Sequence, residues 1–221
     1  MAKSQKTLIE SSKNLKDINF DKGLVLFDYF LKLFKSDNFK ELKAYFTNEK
    51  LEEINEEKQT GFICNIDVQK LYDDKRISID KLYEYDSNIV KHTEFINEKR
   101  DKKISWKYFQ YLTLLFTEIY LDMYFENKEN LKNELNKHLD IFIQKNNLNK
   151  NTIPSYTTDD LRKLAFWNAT GSGKTLILHL NVLQYNHYVK KTGKNKVNKT
   201  ILLTPNEGLS QQHLQEIKQS G

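Results

Sequence analysis

The feature that most constrains this chain is a short glycine-containing segment between residues 169 and 175. It places two glycines just before a lysine and a threonine, and it reads Ala169, Thr170, Gly171, Ser172, Gly173, Lys174, Thr175. Glycines let the backbone turn tightly, so that successive N–H groups can point at one anion. A helix that follows such a turn adds the positive end of its dipole. The segment therefore predicts a loop that binds the phosphates of a nucleotide.

Particular residues of this loop have predicted roles in binding ATP and Mg²⁺. The amides from Gly171 to Thr175 would form the phosphate cradle, and Lys174 would reach the β- and γ-phosphates. The hydroxyl of Thr175 would complete the coordination of Mg²⁺. The general pattern starts with another glycine, and Asn168 stands at that position. The alternative interpretation is an ordinary glycine turn between a strand and a helix.

Residues 1–150 are predicted to form a mostly α-helical accessory domain. Apolar residues recur there at three- and four-residue spacing, as one face of a helix requires. The clearest sets are Leu24, Phe27, Phe30, Leu31 and Phe34, and then Leu131, Leu135, Leu139 and Phe142. Glycine is scarce in this region and proline is absent from it. Both facts favour helices.

The most apolar stretch, residues 104–125, is predicted to be the central helix of this region. Four charged or amide side chains interrupt it, namely Lys107, Gln110, Glu118 and Asp122. A membrane-spanning helix rarely carries such groups, so the pattern favours a buried helix of a globular protein. The first residues also lack the apolar core of a signal peptide. We therefore expect a cytoplasmic protein that does not associate with membranes.

Beyond a polar, asparagine-rich segment around Pro154, the pattern changes to alternating strands and helices. Short apolar runs at 164–167 and 200–204 flank a helical pattern at 174–189, and another helix is predicted from Gly208 onward. Strand, helix and strand in this order are typical of a parallel sheet. The predicted fold class is thus α/β, with an α-helical domain at 1–150 followed by an incomplete parallel-sheet domain at 151–221.

The net charge of +5 is concentrated beside the glycine loop. Residues 151–221 contain nine Lys and Arg residues against four Asp and Glu residues, whereas the two kinds balance in residues 1–150. An excess of positive charge next to a phosphate-binding loop favours a polyanionic partner.

A second motif follows the second apolar run. It reads Pro205, Asn206, Glu207, Gly208, Leu209, Ser210, Gln211, Gln212. Together with the glycine loop, it resembles the superfamily 2 DEAD/DEAH-box helicases, in particular the restriction-enzyme (type III Res subunit) and UvrB-like branch, in which this segment is motif Ia.

That resemblance implies a RecA-like ATP-binding lobe of a DNA helicase or translocase from a restriction or DNA-defence system. It implies contacts to the DNA backbone from Thr204, Asn206 and Gln212. Hydroxyls, amides and helix N-termini are suitable groups for binding phosphates. The resemblance also implies methyltransferase or specificity subunits of a restriction system as partners.

Groups that hydrolysis requires are missing after the glycine loop. An aspartate usually holds the magnesium ion, a glutamate activates water, and an arginine stabilises the transferring phosphoryl group. No aspartate follows Asp160, and no arginine follows Lys174. We therefore expect a truncated helicase lobe that binds ATP and does not hydrolyse it. Two alternatives stay open, a P-loop NTPase outside the helicases and a non-catalytic interaction module.

Overall fold

Helices dominate the computed structural model, which describes residues 24–149, 151, 153–193, 197 and 199–219. The α-helices of these residues are α1 (Val25–Leu33), α2 (Phe39–Ala44), α3 (Gly61–Val68), α4 (Ile79–Asn97), α5 (Tyr108–Lys145), α6 (Lys174–Thr192) and α7 (Glu207–Gln219). Short 3₁₀ turns lie at Glu49–Glu52 and Asp160–Arg162. No helix among the described residues combines the length and apolarity needed to cross a membrane. Of the region 1–150 that was predicted to be helical, residues 1–23 and 150 lie outside the described residues.

Side-chain caps begin three of the helices. Asn38, Thr60 and Ser78 precede α2, α3 and α4, and each accepts a hydrogen bond from the backbone N–H three residues later. Such bonds satisfy an amide that the first turn of a helix leaves without a partner. These polar residues therefore set where the three helices start.

Helix α5 joins two segments that the sequence pattern predicted separately. The residues at 131, 135, 139 and 142 are buried as predicted, and they continue the helix that begins at Tyr108. The backbone is non-helical at Asn127, with φ −156° and ψ 88°. The Asn127 side chain accepts a hydrogen bond from the Asn130 N–H at 3.0 Å and so caps the second half. The element is therefore two helical stretches joined at a break.

The main hydrophobic core surrounds the first half of α5. Tyr111 and Leu114 of α5 are completely buried there. Leu180 and Tyr188 of α6 belong to the same core, with exposures of 0% and 1%. Helix α6 therefore packs against the helical region that precedes it.

The prediction of a RecA-like parallel-sheet domain is wrong, because the described residues form no strand of a sheet. The two apolar runs at 164–167 and 200–204 do not pair with each other. Ile201 and Leu203 are 77% and 87% exposed. A parallel sheet needs helices on its faces, and α6 instead buries Ile177 and Leu180 in the core around α5. The helix that was predicted to cover a sheet thus covers other helices.

Candidate nucleotide-binding site

The glycine loop forms a left-handed turn directly before α6. Gly171 has a φ of 77° and Gly173 a φ of 81°, values that L-residues with a side chain adopt rarely. Gly173 occupies the N-cap position of α6, and no described side chain caps the helix there. The first amides of a 19-residue helix thus follow the turn without a side-chain acceptor. This geometry suits an anion.

Lys174 lies in the first turn of α6, and its side chain is directed back to the loop. Its Nζ donates hydrogen bonds to the carbonyl oxygens of Asn168 at 3.1 Å and Ala169 at 2.8 Å. A phosphate oxygen is a stronger acceptor for an ammonium group than a neutral carbonyl oxygen. The lysine is exposed and can exchange these carbonyl partners for a phosphate. Thr175, the predicted Mg²⁺ ligand, follows it and is half-buried.

A residue far away in sequence contacts this loop. The Nε2 group of Gln110, at the start of α5, donates a hydrogen bond to the Ser172 carbonyl oxygen at 2.9 Å. The side chain also passes close to Gly173, where an added Cβ would lie 2.5 Å from Gln110 Nε2. Sequence reasoning noted Gln110 only as a polar interruption of an apolar helix and assigned it no role in the site.

Buried polar contacts hold α6 against α5 and α4 further along the helix. The Tyr188 hydroxyl donates to Glu118 Oε2 at 2.7 Å, and Asn88 Nδ2 donates to the same oxygen at 3.0 Å. Gln184 Nε2 donates to the Leu114 carbonyl oxygen at 3.0 Å. Glu118 is completely buried, and burial raises the pKa of its carboxyl to about 7. Its second oxygen, Oε1, is buried without a hydrogen-bond partner among the described residues.

A second carboxylate on α5 continues this polar contact. Asp122 accepts hydrogen bonds from the Tyr85 hydroxyl at 2.8 Å, from Lys81 at 3.0 Å and from Lys191 at 3.4 Å. Burial opposes ionisation of Asp122, but the hydrogen bonds and the two lysines outweigh it and lower the pKa of the carboxyl. The ionised Asp122 carboxylate of α5 therefore bonds to α4 and, through Lys191, to the last turn of α6.

Of the three residues implied in DNA contact, Thr204 and Asn206 precede α7 and Gln212 lies within its first half. The Asn206 Oδ1 atom accepts a hydrogen bond from the Leu209 N–H at 2.9 Å, so Asn206 caps the helix. The Thr204 hydroxyl donates to the Asn206 carbonyl oxygen at 3.0 Å. Gln212 is exposed one turn further along the helix. The structure therefore shows a capping role for Asn206 that sequence reasoning did not identify.

Helix α7 packs against the helix that follows the glycine loop. The imidazole rings of His179 on α6 and His213 on α7 are 5.9 Å apart. Burial lowers the pKa of His179, which favours a neutral ring in this contact. Arg100, just after α4, pairs with Glu216 on α7 at 2.5 Å. The two predicted motifs are thus carried on helices that touch.

The described residues provide no other cluster for a metal ion. Among them, no three His, Cys, Asp or Glu side chains are placed to hold one. In nucleotide sites, Mg²⁺ is often bound by substrate phosphates and only one or two protein groups. Thr175, the predicted Mg²⁺ ligand, is an oxygen donor in the first turn of α6, a kind of group that Mg²⁺ accepts.

The comparison with known families finds a match to the part of the chain that contains the glycine loop. Residues 146–221 match the family model described as DEAD/DEAH box helicase. No curated protein and no solved structure matches the chain. The match supports a helicase superfamily for this segment, and with it an ATP-dependent, helicase-type enzyme at the level of the family.

Proposed function

We propose that this chain binds ATP and Mg²⁺ through residues 169–175, as the ATP-binding part of a DNA helicase or translocase. The observation that carries the proposal is the pair of left-handed glycines opening onto the uncapped start of α6, with Lys174 in its first turn. Backbone amides, a helix dipole and an ammonium group then converge on one place. This combination suits a triphosphate better than a neutral ligand.

In this proposal, the loop residues act in the roles that their positions favour. The amides from Gly171 to Thr175 bind the phosphate oxygens, and Lys174 leaves its carbonyl partners to reach the β- and γ-phosphates. Thr175 holds Mg²⁺ together with the nucleotide. Bound Mg²⁺ neutralises part of the phosphate charge.

Replacing Lys174 with alanine is expected to weaken the binding of ATP·Mg²⁺ at least about tenfold. A hydrogen bond between charged groups contributes about 1.5–3 kcal/mol, and each 1.4 kcal/mol is a factor of ten in affinity. Isothermal titration of the wild-type chain and of Lys174→Ala with ATP and Mg²⁺ measures the difference. Lys190→Ala is the matched control, because Lys190 is an exposed lysine in the last turn of the same helix. Equal affinities for all three chains would refute binding at this loop.

We also propose that these 221 residues bind ATP without turning it over. The acidic residues after the loop are Glu207 and Glu216. Glu207 begins α7, and Glu216 is paired with Arg100. Neither has the setting of a carboxylate that holds magnesium or activates water. Phosphate release by the wild-type chain that exceeds release by Lys174→Ala would contradict this part of the proposal.

We propose DNA as the polymer partner, and a restriction or DNA-defence system as the setting. The positive charge of residues 151–221 and the polar start of α7 support this, because phosphates are bound by cations, hydroxyls, amides and helix N-termini. Thr204, Asn206 and Gln212 would contact the DNA backbone. The methyltransferase or specificity subunits of such a system would be further partners, and residues 1–150 would form an accessory domain.

Gln212→Ala is expected to weaken DNA binding about tenfold, as the loss of one hydrogen bond from a neutral amide to a charged phosphate would. Fluorescence anisotropy of a labelled oligonucleotide at low salt measures the affinity, which should fall as salt increases. Gln219→Ala is the control, since Gln219 is an exposed glutamine in the last turn of the same helix. Identical effects of the two substitutions would exclude a specific contact at Gln212.

A further inference from the structure

The start of α5 reaches the phosphate-binding loop through one side chain. We propose that Gln110 is a positioning residue for the nucleotide, which makes the helical region before residue 150 part of the nucleotide site. This inference rests on the proposed binding of ATP at the loop.

Gln110 is held at both ends of its amide. Its Oε1 atom accepts a hydrogen bond from the Lys107 N–H at 2.9 Å, and its Nε2 atom donates to the Ser172 carbonyl oxygen at 2.9 Å. The first bond satisfies a backbone amide at the start of α5. The second bond crosses to the loop, 62 residues later in the chain. The Gln110 side-chain amide thus links the start of α5 to the glycine turn.

The backbone that carries Gln110 is itself firmly anchored. The next residue, Tyr111, is completely buried, and its hydroxyl donates to the buried carboxyl of Asp86 at 2.6 Å. The Lys107 ammonium pairs with Glu52 at 2.8 Å. The start of α5 is therefore tied to α4 and to the 3₁₀ turn, and it offers the loop a fixed support.

A hydrogen bond to the Ser172 carbonyl also orients the neighbouring N–H group. In a trans peptide, the C=O of one residue and the N–H of the next point in opposite directions. When Gln110 holds the Ser172 oxygen towards α5, the Gly173 N–H is turned to the opposite side. Gly173 lies within the proposed phosphate cradle, so this bond aligns one of its donors before the nucleotide arrives. Such alignment raises affinity by reducing the ordering required on binding.

Two substitutions separate this role from simple capping of α5. Gln110→Glu keeps an oxygen that can accept from the Lys107 N–H, as Glu does at this position of many helices, but it loses the donor to Ser172. Gln110→Met keeps the length of the side chain and loses both bonds without adding charge. Gln144→Met is the control, because Gln144 is an exposed glutamine near the end of the same helix.

Both Gln110 variants are expected to bind ATP·Mg²⁺ about fivefold or more weakly than wild type, as the loss of one oriented donor would cause. The melting temperature of Gln110→Glu without nucleotide should stay close to that of wild type. Gln144→Met should match wild type both in its affinity for ATP·Mg²⁺ and in its melting temperature without nucleotide. In the nucleotide-free chain, Gln110→Met should speed amide hydrogen exchange at Gly173, and Gln144→Met should leave it unchanged.

The outcomes distinguish this inference from the function on which it rests. A wild-type chain that does not bind ATP·Mg²⁺ overturns both proposals. A wild-type chain that binds, with affinity lost in Lys174→Ala but retained in Gln110→Met, overturns only the role of Gln110. Weaker binding in Gln110→Glu alone would also overturn that role, because it would show an effect of the added charge and not of the lost donor.

Discussion

Replacing Glu118 with glutamine should make the folded chain more stable than wild type above pH 7, by about 3 kcal/mol. Glu118 is completely buried, and burial raises the pKa of its carboxyl from 4.5 to about 7. Ionising this group inside the core therefore costs free energy. The amide introduced by Glu118→Gln would keep an oxygen that accepts from Tyr188 and Asn88, and its NH₂ group would replace the acidic proton. A shift of one pKa unit corresponds to about 1.4 kcal/mol, which gives the magnitude.

The sign of the pH dependence follows from the raised pKa. The folded state holds the Glu118 proton more tightly than the unfolded state, so the contribution to stability is complete below pH 4.5 and is lost as the pH rises through about 7. Three histidines act in the opposite direction at lower pH, since full or partial burial lowers the pKa values of His92, His179 and His187. Wild type and Glu118→Gln both contain these histidines. Their effect therefore cancels in the difference between the two unfolding free energies.

Urea unfolding of wild type and of Glu118→Gln at pH 4.0 and pH 8.5 measures this difference. We expect the two to be similar in stability at pH 4.0, below the unfolded pKa of the carboxyl, and to diverge at pH 8.5. Glu126→Gln is the matched control, because Glu126 is an exposed glutamate on the same helix. A difference in unfolding free energy that is constant between the two pH values would contradict the raised pKa.

Replacing Asp86 with alanine should destabilise the fold by about 3–5 kcal/mol. The Asp86 carboxyl is 1% exposed. It accepts hydrogen bonds from the Thr60 N–H at 2.9 Å, from the Thr60 hydroxyl at 2.6 Å and from the Tyr111 hydroxyl at 2.6 Å. Alanine leaves these buried donors without their acceptor, and each costs about 1–3 kcal/mol. The loss would also release Tyr111 and with it the start of α5.

The free energy of unfolding in urea at one pH measures this effect. Asp140→Ala serves as the control, since Asp140 is an exposed aspartate on α5, and surface substitutions usually change stability by less than about 0.5 kcal/mol. If Asp86→Ala loses no more stability than Asp140→Ala, the three hydrogen bonds do not contribute as described. Because the start of α5 supports the loop, Asp86→Ala should also weaken ATP binding.

The loop and the helices could be predicted from local sequence. The glycine positions predicted a tight turn, and both glycines are left-handed in the structure. The spacing of apolar residues predicted α6 at 174–189, against Lys174–Thr192 in the structure. The helix predicted near Gly208 is α7, which begins at Glu207. These features depend on residues close together in the chain, so a local pattern is sufficient.

The packing partners could not be predicted in the same way. A short apolar run such as 200–204 has the composition of a strand, but a strand exists only where another segment pairs with it. The run is exposed, while α6 packs on α5. Which surface covers the apolar side of α6 depends on long-range contacts, and a single sequence does not contain that information.

One signal for the missed contacts was present. The four charged or amide residues that interrupt the apolar stretch 104–125 all make contacts between elements. Lys107 pairs with Glu52, Gln110 bonds to the glycine loop, and Glu118 and Asp122 join α5 to α4 and α6. Buried polar groups need partners, so the buried carboxyls of Glu118 and Asp122 indicated neighbours, although the sequence did not show which ones.

A structure of the chain with Mg²⁺ and a non-hydrolysable ATP analogue tests the central claim most directly. We expect the β- and γ-phosphates to contact the amides of Gly171 to Thr175, with Lys174 Nζ moved from the Asn168 and Ala169 carbonyl oxygens to a phosphate oxygen. We also expect the Ser172 carbonyl to keep its bond to Gln110. A nucleotide bound elsewhere, with Lys174 still bonded to the two carbonyl oxygens, would contradict the assignment of this loop as the ATP site.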